Sequence, residues 1–129
     1  MSGIAELLKN KEFVVSGSDI ADSPNVQRLI DLGINVSIGH NKENISDAEL
    51  VIYSDAIPKD NVELIEALAQ NIIVYSRARM ISEIAKLNNS TVAIAGTHGK
   101  TTTTSMVGTI LKAMNLQRVN GINLFQKMG

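Results

Sequence analysis

The chain has 129 residues, a formal charge of −1, and 44% hydrophobic residues, enough for about one domain with a real core. The near-neutral balance gives no polyanion-binding surface, the 3% aromatic content gives no platforms for stacked bases, and the absence of cysteine excludes disulfides and thiolate metal sites. No apolar run is long enough to span a bilayer, and Met-Ser-Gly-Ile-Ala-Glu is not a secretory leader. The expectation is a cytoplasmic α/β protein that binds neither nucleic acid nor membrane.

Ile4 to Asn10 reads as a short helix with Ile4, Leu7 and Leu8 on one face. Phe13-Val14-Val15 reads as a strand ended by Ser16-Gly17-Ser18-Asp19. Asp19 there either accepts from a sugar hydroxyl or caps the next turn. Ser23-Pro24 starts a helix with Val26, Leu29 and Ile30 inward, and Gly33 stops it. Ile34 to Ile38 alternates as a strand and delivers Gly39-His40. His40 is either a ligand contact or an exposed loop histidine, the second being the commoner state.

Leu50-Val51-Ile52-Tyr53 has the continuous apolarity of a strand covered on both faces, and Ser54-Asp55-Ala56 ends it. Asp60 is expected to cap a helix that buries Val62, Ile65, Leu68 and Ala69. Ile72 to Tyr75 is the next strand; Arg77 beyond it is a phosphate clamp or a solvated first-turn residue. Met80, Ile81, Ile84 and Leu87 make a helix face, and Asn88-Asn89-Ser90 is the best boundary.

Beyond the boundary, Val92 to Ala95 reads as a buried strand. It opens into Gly96-Thr97-His98-Gly99-Lys100-Thr101-Thr102 and then a helix with Val107, Ile110, Leu111 and Met114 at helical spacing. A strand, a glycine-containing loop with Gly-Lys-Thr and a helix N-terminus form a phosphate cradle, because unpaired amides and the dipole favour an anion. Gly96 and Gly99 permit the turn and the close approach. Lys100 reaches outer phosphates, and Thr101 offers a hydroxyl to magnesium. The match is a shortened variant, since Ile94 stands where the longer pattern has its first glycine. The bland alternative is a capped strand-to-helix turn with a solvated lysine. From Asn115 on no period is visible, and 117–129 is expected to lack order. Alternating strands and amphipathic helices argue a parallel α/β fold with polar strand ends on the ligand side.

Met1 to Glu6, Ser16 to Asp19, Gly39-His40, Tyr53 to Ile57, Arg77 to Met80 and Ala95 to Thr104 together resemble the Mur ligase family, in order from Met1 to about Leu116. The resemblance implies a Rossmann-like UDP-binding domain over 1–88 and the opening strand, phosphate loop and helix of a central ATPase domain over 89–129. It implies UDP-N-acetylmuramate and L-alanine as substrates, ATP and Mg2+ as cofactors, and an acyl phosphate displaced by the amine. By resemblance, Lys100 serves the β- and γ-phosphates, Thr101 the magnesium, and Gly96 to Thr102 the ATP. Ser18, Asp19, His40, Ser54 and Arg77 then fall to the UDP-linked substrate.

Family members begin with a further strand and glycine-rich loop and continue through later domains, so the chain is expected to be shortened at both ends and inactive alone. Asp55 and Arg79 stand where the family usually has Ser and Glu. The alternatives are a non-catalytic nucleotide-binding module and an interaction protein that associates through an exposed sheet edge.

Overall fold

The computed structural model describes residues 1–87, 91–113 and 123–126. The chain divides into two compact units, Met1–Met80 and Ile81–Gly129.

The first unit opens with α1, Ser2–Asn10, which buries Ile4. The strand expected at Phe13-Val15 forms three residues later, as β1, Ser16–Asp19. Its parallel register with β2, Asn35–Ile38, runs from Ser16 opposite Asn35 to Asp19 opposite Ile38. Backbone pairing, not apolarity, sets the strand's position: Phe13 and Val14 lead in from the α1 turn and are exposed. Between the strands lies α2, Pro24–Asp31, capped as expected by the Ser23 hydroxyl, which accepts from Val26 N at 3.3 Å. Gly33, at φ +76°, ends it; its N–H reaches Ile30 O and the next N–H reaches Leu29 O. Val26 is buried under this helix, while Ile30 is exposed. α1 packs on α2, with Arg28 paired to Glu6 across them.

A short 3-10 turn, Lys42–Ile45, leads to β3, Leu50–Tyr53. β3 pairs in parallel with β4, Ile73–Ser76. Between them runs α3, Val62–Ala69. Its cap is Asn61, not Asp60: the Asn61 side-chain oxygen accepts from Glu63 N at 2.9 Å and Leu64 N at 3.3 Å. Its inner face also differs from the expected one. Glu63, Leu64 and Ala67 are buried, whereas Val62, Ile65 and Leu68 are exposed. The helix is turned so that Glu63 meets the 3-10 turn, against which α3 packs. The chain leaves through Asn71 at φ 57°.

α4, Arg77–Lys86, spans the division between the units. Met80 and Ile84 are buried, but Leu87 is 67% exposed. In the second unit β5, Thr91–Ile94, precedes α5, Lys100–Ala113. β5 pairs in parallel with β6, Asn123–Gln126, which lies in the tail expected to lack order. The boundary residues 88–90, Met114 and the rest of the tail lie outside the described residues.

The fold class is thus parallel α/β, as expected. The strands form three separate parallel pairs, β1–β2, β3–β4 and β5–β6, among the described residues. No ladder hydrogen bonds join one pair to another among the described residues. Among the described residues no helix is long and apolar enough to cross a membrane.

Candidate functional site

The polar groups of the first unit gather at the carboxyl ends of its parallel strands, the side where open α/β sheets take ligands. Ser18 and Asp19 end β1, Gly39 and His40 follow β2, Ser54 follows β3, and Arg77 follows β4. Asp19 Oδ1 accepts from Ala21 N at 3.3 Å, so it does cap the following turn. Ser54 likewise caps its own turn, accepting from Ala56 N at 3.4 Å. The Met1 amino group lies within electrostatic reach of both strand pairs. Burial lowers its pKa most, the nearby Arg77 guanidinium lowers it further, and Asp19 acts in the opposite sense. Asp19 and Arg77, from different pairs, therefore share one electrostatic neighbourhood at the start of α1.

His40 is not the exposed loop histidine that its sequence context favoured. Its side chain is only 18% exposed and lies 3.0 Å from Glu63 Oε2 through Nδ1. Glu63 organises the cluster. Oε2 accepts from the Ser18 hydroxyl at 2.7 Å and from His40 Nδ1. Oε1 accepts from Asn44 Nδ2 at 2.7 Å and from Asn41 N at 3.3 Å. A carboxylate has about four acceptor positions, and this one fills them. Burial alone pushes the Glu63 carboxyl up. The hydrogen bonds from Ser18, Asn44, His40 and the Asn41 amide outweigh it and hold the pKa below the ordinary glutamate value. Asn44 Nδ2 also donates to Gly39 O at 3.1 Å, tying the 3-10 turn to the end of β2.

Glu63, Asn41 and Asn44 were not identified from sequence. The available signal was the stripe Glu63, Leu64, Ala67 at helical spacing directly after an Asn cap; a charge within that stripe marks a buried, partnered carboxylate. Ser18 and His40 are brought together by this carboxylate. Among the described residues no hydrogen bond joins Ser54 to that cluster.

In the second unit the strand, loop and helix occur where expected. The loop 95–99 is exposed. Gly99 sits at φ +74°, in the left-handed region that favours glycine. A Cβ on Gly96 would stand 3.3 Å from the His98 carbonyl oxygen, so the loop is wound tightly there. Lys100 folds over it, its ammonium donating to Gly96 O at 2.7 Å and to Thr97 O at 3.3 Å. Thr103 N bonds Gly99 O at 2.9 Å, closing the first turn of α5. Thr101 and Thr102 are exposed on that turn. Among the described residues no three His, Cys, Asp or Glu side chains form a metal-holding group. A cation here would need the Thr101 hydroxyl together with oxygens of a bound nucleotide.

A parallel α/β unit with clustered polar strand ends, followed by a strand, a glycine loop and a helix, defines the class. Within that class the chain belongs to the Mur ligase family: the family model described as Mur ligase family, catalytic domain, matches residues 1–89. UDP-N-acetylmuramate–L-alanine ligase of Xanthobacter autotrophicus is 56% identical over 115 residues, covering 89% of this chain and 24% of that protein. The protein of the same name from Agrobacterium fabrum is 55% identical over 116 residues, covering 90% of this chain and 24% of its own length. The crystal structure of UDP-N-acetylmuramate–alanine ligase from Thermotoga maritima superposes with a TM-score of 0.84 at 32% identity, covering 89% of this chain and 27% of that one. The chain spans about a quarter of the length of the curated relatives it matches.

Proposed function

We propose that this chain carries the nucleotide grips of an ATP-dependent peptidoglycan-precursor ligase that joins L-alanine to UDP-N-acetylmuramate. The observation that carries the reading is that Ser18, Asp19, His40 and Arg77 all fall at carboxyl ends of parallel strands of the first unit, with Ser18 and His40 in contact, in a family whose relatives bear that substrate in their names. On this reading the first unit holds the UDP-linked sugar. Asp19 and Ser54 accept from hydroxyls, Ser18 and His40 contact the uridine part, and Arg77 meets phosphate oxygens. The second unit holds ATP on Gly96 to Thr102.

In the reaction, a carboxylate oxygen of the muramyl group attacks the γ-phosphorus and ADP leaves. The alanine amine then attacks the acyl carbon, phosphate leaves and an amide forms. Phosphoryl transfer depends mainly on positioning and charge neutralisation. The tight turn at Gly99 offers amides to the phosphates. The Lys100 ammonium exchanges the loop carbonyls for β- and γ-phosphate oxygens. The Thr101 hydroxyl would help hold magnesium, which neutralises charge on the transferring phosphoryl group.

Calorimetric titration tests the reading: UDP-N-acetylmuramate and magnesium–ATP each bind the 129-residue chain saturably, at sites that do not compete. Failure of both to bind overturns it. Binding without phosphate release in the presence of all three substrates assigns the chain as a nucleotide-binding module.

A further inference from the structure

Four hydrogen-bonding groups converge on Glu63, and all four must donate, because an ionised carboxylate has no proton to give. For the Asn41 amide, the Asn44 amide group and the Ser18 hydroxyl this is automatic. The Ser18 hydroxyl has one proton, and it goes to Oε2 at 2.7 Å. Ser18 Oγ, 3.1 Å from His40 Nδ1, is left to face that nitrogen with a lone pair. Two acceptors therefore point at Nδ1, and no donor does. The ring proton of neutral His40 is required on Nδ1. Nε2 makes no hydrogen bond among the described residues, and no described buried polar side-chain atom lacks a partner, so Nε2 is the nitrogen open to solvent.

We propose that Glu63 is a positioning residue that locks neutral His40 as its Nδ1–H tautomer, so that Nε2 presents a lone pair and selects ligand groups that donate, an N–H or O–H, over carbonyl or phosphate oxygens. The tautomer follows from the geometry alone. The choice of ligand group rests on the reading of this unit as the nucleotide-sugar site, where the base N–H and the ribose hydroxyls are the available donors.

The chain holds only two histidines, His40 and His98, so long-range proton–nitrogen correlation of the imidazoles is simply assigned with a His98→Gln variant. Spectra of the full chain are taken at alkaline pH, so that neutral imidazole is observed. The expected wild-type pattern has a protonated Nδ1 and a bare Nε2 at His40. Ser18→Ala, which leaves Glu63 facing Nδ1, keeps that pattern. Glu63→Gln, whose amide group can donate to Nδ1, moves it toward the Nε2–H form with the backbone spectrum retained. An Nε2–H tautomer in the wild type, or in Ser18→Ala, overturns the proposal, and neither measurement depends on the Gln variant folding. An unchanged tautomer in folded Glu63→Gln also overturns it. Adding UDP then shifts Nε2 of His40 and not the ring nitrogens of His98. If UDP moves backbone amides of the first unit but leaves Nε2 untouched, the ligand-selecting half is wrong. If UDP moves nothing, the nucleotide-sugar reading itself fails while the tautomer result stands.

Discussion

Replacing Glu63 by Ala removes the acceptor that joins the ends of β1 and β2 to α3. Hydrogen bonds to a charged acceptor contribute roughly 1.5–3 kcal/mol each when deleted singly, and they are not additive. Four are lost here. Ser18, His40 and Asn44 are only partly buried, so water recovers part of the loss. The net destabilisation expected for the first unit is about 2–4 kcal/mol. Both tyrosines, Tyr53 and Tyr75, lie in β3 and β4, and there is no tryptophan, so tyrosine fluorescence reports this unit during urea unfolding. At a slope of roughly 1–2 kcal/mol/M the midpoint falls by at least about 1 M.

The pH dependence has a definite sign. The folded pKa of Glu63 lies below the ordinary value, so the unfolded chain binds the proton more readily. The stabilisation is complete above the ordinary glutamate value near ~4.3 and is lost as pH falls through the lower folded pKa. The gap between wild type and Glu63→Gln therefore narrows on acidification. A Glu63→Ala change of less than about 0.5 kcal/mol, or a gap that widens at low pH, refutes the reasoning.

Further outcomes follow from the same structure. Lys100→Ala weakens magnesium–ATP binding at least about tenfold by calorimetry, the loss of one charged contact of roughly 1.4 kcal/mol or more, and leaves UDP binding unchanged. Asn61→Ala removes the α3 cap and lowers first-unit stability by about 1 kcal/mol in the urea assay. Ala67→Leu, at a position with 0% exposure, costs about 1–3 kcal/mol, whereas Ile65→Gln, at 53% exposure, stays within about 0.5 kcal/mol. The reverse ranking would restore the helix face read from apolar spacing.

The alternation of strands and helices, the Ser23 cap, the Gly33 stop and the loop before α5 were all legible, because each rests on a local rule. Two features were not. β1 lies beside its apolar run because a parallel partner sixteen or more residues downstream sets its position, and pairing leaves no mark within the strand itself. The face of α3 differs from the one read from Val62, Ile65, Leu68 and Ala69 because Glu63 is buried together with Leu64 and Ala67. Its burial depends on donors from Ser18, His40, Asn41 and Asn44, which are distant in sequence and near only in the fold. Ser18 was a candidate only through the family resemblance, and His40 was one of two readings at its strand end; the carboxylate that joins them was not legible.

The central claim is that two separate nucleotide grips reside in these 129 residues. Amide-resolved titration of the labelled chain tests it most directly. UDP is predicted to move the amides of Ser18, Asp19, His40, Asn41 and Arg77, and magnesium–ATP those of Gly96 to Thr102, each saturably and without overlap. Both nucleotides moving the same set, or neither moving any, contradicts the account.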